Sequence, residues 1–282
     1  MIRGIDHIAL VVRDLDEAVK DYEAILGCTS NWRGVVHGTQ HAWFQFPNAA
    51  LDLIAPHGSD SDADAMRAGL EKRGEGFGGL GFAVDDLAAA RHLLIRRGLP
   101  MGEPGTTHSI AADGRTRDWE IAAAPARSTS KIAQFFVQQD ASRWPNSRPV
   151  QSEQDSVSEL DHVVINTPNP ERALAHYGAR LGLDLRLDRS NEQWGSRLLF
   201  FRCGNAVIEV GASLKAPVSD EPDKFGGLAW RVRDADAARA RMTKAGIDVS
   251  EVRAGRKPGT RVFTVRDRTH GIPTLMLEGN PD

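Results

Sequence analysis

The chain has 282 residues, enough for a substantial core arranged as two medium domains. Its 35 basic and 38 acidic residues leave a formal charge of -3, without the positive excess of a chain that neutralises many phosphates, so no nucleic-acid partner is expected. No apolar run approaches the ~18 residues of a membrane span and no basic segment leads into an apolar one, so membrane spanning and secretion are not expected, and the cytoplasm is the expected location.

Residues 5–12 alternate as a strand and lead through Asp14, a capping residue, into a helical stripe of Ala18, Tyr22, Ile25 and Leu26 that Gly27 stops. Cys28 follows; with Cys203 it forms no disulfide or zinc spacing, and both read as small buried hydrophobes. Strands are expected over 42–46 and 50–55, then a polar segment, 57–78, whose structure is open. A second unit starts at Gly79-Leu80-Gly81-Phe82-Ala83-Val84, with Asp86 before its helix and Gly98 after it. Residues 140–158, with Trp144, Pro145 and Pro149 among Gln, Ser, Glu and Asp, read as a surface linker, Trp144 a candidate to pin it to one half.

Beyond the linker the pattern recurs. An offset of 155 carries His7 to His162, Tyr22 to Tyr177 and Gly27 to Gly182, and an offset of 148 carries Leu80 to Leu228, Asp86 to Asp234 and Gly98 to Gly246. Further strands are expected over 197–202, 206–211, 261–266 and 274–277. One strand, one helix and three strands is the simplest common plan. The chain is therefore an α+β protein of four units, paired as domains 1–139 and 159–282.

The His-bearing first strand, the helix ending in Leu-Gly, the strand ending Asn205-Ala206-Val207-Ile208-Glu209 and the fourfold repetition resemble the vicinal oxygen chelate superfamily, which includes glyoxalases, bleomycin resistance proteins and extradiol dioxygenases. That resemblance implies four βαβββ modules paired into two curved mixed sheets, each around a cleft that often holds a divalent metal. It places metal ligands at His162 and Glu209, the expected catalytic pair, with His7 and Asp52 as the corresponding pair in the first half. Imidazole with carboxylate suits Zn, Fe, Mn, Co or Ni.

The second unit of each half departs from the superfamily pattern, with Gly81 and Ala229 at the histidine position and Leu275 at a glutamate position. Gln134, His270 and Glu278 are the residues near the closing strands that could complete a ligand set. Adjacent strand residues normally face opposite ways, so Asp6 and Asp161 need not act with the histidines beside them. Tyr22 and Tyr177 read as packing.

The second half is rich in Arg186, Arg189, Arg202, Arg253 and Arg261, and from this face Trp194, Arg197, Arg256 and Lys257 are the expected substrate contacts, suited to an anionic, oxygenated or aromatic small molecule. Residues 255–260 lack the glycine spacing of a phosphate-binding loop, so no nucleotide cofactor is expected. The resemblance implies a metal-assisted lyase or isomerase, in which the metal polarises substrate oxygens. The alternatives are a metal-independent binding or resistance protein and an atypical ring-cleavage dioxygenase. The chain is expected to be a monomer or homodimer.

Overall fold

In a computed structural model, which describes residues 1–139 and 155–279, the first half runs β1 (Ile2–Val11), α1 (Leu15–Leu26), β2 (Trp32–Val36), β3 (Thr39–Gln45) and β4 (Ala50–Pro56). Helix α2 (Ser61–Arg73) then leads to β5 (Gly76–Val84), α3 (Leu87–Arg96), β6 (Gly105–Ile110), β7 (Thr116–Ala124) and β8 (Gln134–Gln139). The second half runs β9 (Val157–Asn166), α4 (Pro170–Ala173, continued by a wider π-helical segment, Leu174–Arg180), β10 (Asp184–Asn191), β11 (Ser196–Cys203) and β12 (Ala206–Ser213). It ends with β13 (Lys224–Val232), α5 (Ala235–Lys244), β14 (Arg253–Ala254), β15 (Arg261–Val265) and β16 (Thr274–Glu278). Four βαβββ modules are present, and the polar segment left open forms α2, its first turn held by the Asp60 carboxylate, which accepts from Asp62 N and Ala63 N. Most of the expected linker, Trp144 included, lies outside the described residues.

The helix ends follow local chemistry. Asp14, Asp86 and Asp234 each accept from the backbone N–H three residues on, satisfying a donor that the first turn cannot. Gly27 sits at φ 72°, a left-handed conformation that closes α1 without the steric cost of a Cβ.

Each half builds an eight-stranded sheet from the same pairings. The first closes into a barrel, β1-β4-β3-β2-β6-β7-β8-β5; the second runs β10-β11-β12-β9-β13-β16-β15-β14 and stays open between β10 and β14. Closure in the first half comes from longer strands: β6 and β7 span six and nine residues and bring Ile110 to Val35 of β2, whereas β14 and β15 span two and five. Alternation sends Ile8, Leu10, Leu51, Leu53, Val163, Ile165, Ile208 and Val210 to the helix-covered face, where the two halves share one continuous apolar core. Cys203 lies in that core and Cys28 is packed against it, burial pushing their thiols up to about 12 and about 11, so neither is an activated nucleophile. Tyr22 and Tyr177 are likewise buried there.

Candidate active site

On the inner face of the second sheet, His162 and Glu209 come together, Nε2 to Oε2 at 3.6 Å, both partly exposed. The registers explain the meeting: β9 and β12 run parallel with Val164 opposite Glu209 and His162 opposite Val207, so all four side chains share a face. The first half repeats this register, with Asp52 opposite Ala9, two residues beyond His7.

The aspartate before each histidine joins the site, contrary to the expectation from strand alternation. In the β9–β13 pairing Ala229 faces His162 and Trp230 faces Leu160, leaving Asp161 as the extra residue of a bulge; Asp6 is the extra residue between Ile5 and His7. A bulge turns two consecutive side chains to one side. Asp161 Oδ1 thereby sits 2.6 Å from His162 Nδ1, and Asp6 Oδ1 2.7 Å from His7 Nδ1. The repeated Asp-His pair was visible in the sequence; the bulges were not. Although burial opposes it, His162, Arg231 and Lys257 together hold the Asp161 carboxyl below its ordinary value, with Arg231 Nη2 at 2.6 Å. An ionised carboxylate only accepts, so His162 Nδ1 carries a proton, and Nε2 is the ring nitrogen that faces Glu209.

The 3.6 Å separation is too long for a hydrogen bond, and a neutral imidazole nitrogen facing a carboxylate in this way is a pair that a divalent cation would join. These residues fit a metal as two of its ligands, the other positions falling to water or substrate. Ala229 and Leu275 add no donor. The candidates to complete the set are committed elsewhere: Glu278 accepts from Ala235 N at the start of α5, Gln134 pairs with His176, and His270 lies between Glu75 and Asp21. No group of three or more His, Cys, Asp or Glu among the described residues is arranged to hold a metal.

In the first half the residues do not fit an ion. Both Asp52 oxygens lie 3.0 Å from His41 Nδ1, and His7 packs at 5.0 Å against Trp43. The guanidinium of Arg117 stacks 3.8 Å from the Trp43 ring centre and 5.3 Å from that of Trp119. Gly81 is required here, because a Cβ at that position would meet the His7 ring at 2.6 Å.

The rim of the second site comes from two turns. Trp194, between β10 and β11, lies 4.9 Å from the Arg256 guanidinium, between β14 and β15, and 6.0 Å from that of Arg189. Lys257 is exposed beside Arg256 and acts electrostatically on Asp161. Arg197 points to the helix side, gripping Asp188 with two nitrogens at 2.8 and 2.7 Å and Glu171 at 2.6 Å, so its positive charge is directed away from the inner face. Arg261 likewise serves Asp236 and Glu278. Alternation places the partly exposed Leu198, Phe200, Leu275 and Leu277 on the inner face, which is therefore partly apolar. Among the described residues no helix is long and apolar enough to cross a membrane.

The family described as a glyoxalase-like domain matches residues 5–158, and the glyoxalase/bleomycin resistance protein/dioxygenase superfamily matches residues 161–264. A search of curated proteins gave no match. Among solved structures, a triple mutant of 4-hydroxymandelate synthase from Streptomyces coelicolor is 15% identical, with 100% of this chain and 94% of that one covered and a TM-score of 0.70. A hypothetical protein from Staphylococcus aureus is 12% identical over 98% of this chain and 99% of its own, with a TM-score of 0.67. Methylmalonyl-CoA epimerase from Mycobacterium tuberculosis is 22% identical over 50% of this chain and 91% of its own, with a TM-score of 0.42. The two full-length likenesses establish a shared fold. With one glyoxalase family covering more than half of its length and a related one covering most of the other repeat, the chain belongs to the glyoxalase/bleomycin resistance protein/dioxygenase group, the vicinal oxygen chelate superfamily.

Proposed function

We propose that the second half is the working half, a small-molecule lyase or isomerase site in which His162 and Glu209 hold a divalent metal and act on an oxygenated anionic or aromatic substrate. The observation that supports this reading is the Asp161–His162–Glu209 line, with the His162 Nε2 aimed at a carboxylate on the open sheet. The metal, when bound, would polarise a substrate oxygen and stabilise negative charge developing beside it. Asp161 fixes the His162 ring and its tautomer. Glu209, or a water beside it, is positioned to move a proton on the carbon next to that oxygen. Arg256 and Lys257 would draw in a carboxylate or phenolate, Trp194 would cover a flat ring, and the leucine and phenylalanine side chains of the inner face would exclude water.

A two-ligand site favours lyase or isomerase chemistry over ring cleavage, and it makes the ion readily removable. Protein isolated without an affinity metal column should take up roughly one divalent ion per chain, released by mild chelation with little change in melting temperature. Calorimetric titration with elemental analysis should show uptake lost in His162→Ala and kept in His7→Ala. Ala229 and Leu275, which remove two donors, favour a second reading as a binding or resistance protein; equal ligand affinity and no metal in wild type and His162→Ala would establish that reading instead.

A further inference from the structure

We propose that Arg117 is the resident cation of the first half: its guanidinium supplies inside the barrel the positive charge that compensates Asp6 and Asp52, and this half is thereby a sealed scaffold that holds neither metal nor substrate. The inference concerns the first half alone and stands whether or not the second half turns over a substrate.

The placement of Arg117 carries the argument. It is 2% exposed and lies over the Trp43 ring, which itself packs against His7 and edge-on against Trp119. Around it Asp6, His7, His41 and Asp52 are all buried. Asp6 and Asp52 each face an imidazole, of His7 and His41, and two carboxylates buried inside a closed barrel are further stabilised by a fixed positive charge nearby, because burying a charge without compensation is costly. Burial pulls the guanidinium down to about 9 while the charges of Asp6 and Asp52 oppose that pull, so it stays charged at neutral pH. The aspartates it serves are the bulge residue and the fourth-strand carboxylate, the counterparts of Asp161 and Glu209.

The register shows how the halves diverged. Ala124 pairs with Gln134 where Val265 pairs with Thr274, and counting back seven residues from each sets Arg117, inside β7, against Pro258, three residues before β15 begins. In the first half the strand runs straight through this position and carries Arg117 inward. In the second the chain turns at residues 255–260, so the cations of that stretch, Arg256 and Lys257, stay exposed on the rim. One half keeps its positive charge inside as a fixture, and the other keeps it outside within reach of a ligand.

Charge compensation predicts coupling that mere packing would not show. Arg117→Met keeps most of the volume and removes the charge; its melting temperature should fall by roughly 10 °C. Adding Asp6→Asn and Asp52→Asn, each destabilising in the wild type, should restore at least half of that loss in the Arg117→Met background. If Arg117→Met fails to fold, the triple variant should fold. Metal content should be the same in wild type and in His7→Ala with Asp52→Asn. Additive losses in the cycle, with the triple variant less stable than Arg117→Met, or an ion lost on changing His7 and Asp52, would overturn the proposal.

Discussion

His176 is a neutral base held where a proton would have no place to go. Its Nε2 faces Gln134 Oε1 at 3.0 Å, its Nδ1 has no hydrogen-bond partner among the described residues, and burial lowers it to about 4, with Arg180 adding to the effect. The unfolded chain takes up the proton near the ordinary value of about 6.5, so as the pH falls between these two values the unfolded state binds more protons and the fold loses stability. The loss is on the order of 3 kcal/mol and is complete below about 4. Melting curves from pH 7 to 4.5 should fall steadily, and His176→Gln should flatten that slope. Charge at the rim and on the helix side should separate just as clearly. Arg256→Glu should weaken binding of an anionic aromatic ligand several-fold with little change in stability, because Arg256 is exposed and lies over the Trp194 ring at the rim. Arg197→Glu should leave affinity unchanged and lower the melting temperature, since it sets a carboxylate against Asp188 and Glu171; an affinity loss confined to Arg197→Glu would return it to the ligand. The repeats singled out His162 and the superfamily resemblance Glu209, and the fold brings the two together. Neither signal could reveal Arg117, which has no counterpart in the second half, or Arg231, whose role depends on which way a bulge turns Asp161.

At the scale of elements, the first strand and helix of each unit were legible because period-two and period-3.6 apolar spacing survives there, whereas β2, β6, β7, β10 and β14 carried no such signal. Closure was not legible, since it depends on a few residues of strand length at β6–β7 against β14–β15. The seam between β2 and β6 is sealed by backbone pairing at Val35 and Ile110. The matching seam between β10 and β14 is bridged by side chains, Trp194 against Arg256. An exposed contact of this kind contributes about 0.5–1 kcal/mol, weak enough to part and re-form as a ligand passes. Trp194→Ala should therefore speed hydrogen exchange of the turns at 192–195 and 255–260 and raise the dissociation rate of a ligand, while exchange in β1 and β4 stays the same. Unchanged exchange in both turns would show that they do not hold each other.

The whole molecule behaves as a dimer drawn inside one chain. Phe77 and Phe225, equivalent positions of the repeat, stack on each other at 4.1 Å with planes 7° apart, as expected at a pseudo-twofold axis. Each half's first helix reaches the other half's closing unit: Tyr22 donates to Thr269 O, and His176 pairs with Gln134. Asn48 ties the seam with three hydrogen bonds, its Nδ2 donating to Leu160 O and Asn205 O and its Oδ1 accepting from Leu160 N. With one shared apolar core and these crossed contacts, separating the halves would expose the helix face of both, so neither should persist when the other opens. Calorimetry should show a single transition whose van't Hoff and calorimetric enthalpies agree. Asn48→Ala, which leaves backbone groups of the seam without their partner, should cost about 2 kcal/mol and shift that one transition down by roughly 4–8 °C. Two resolved transitions, with only one moved by Asn48→Ala, would mean that the halves are independent domains and that the sealed first barrel lends no stability to the open site beside it.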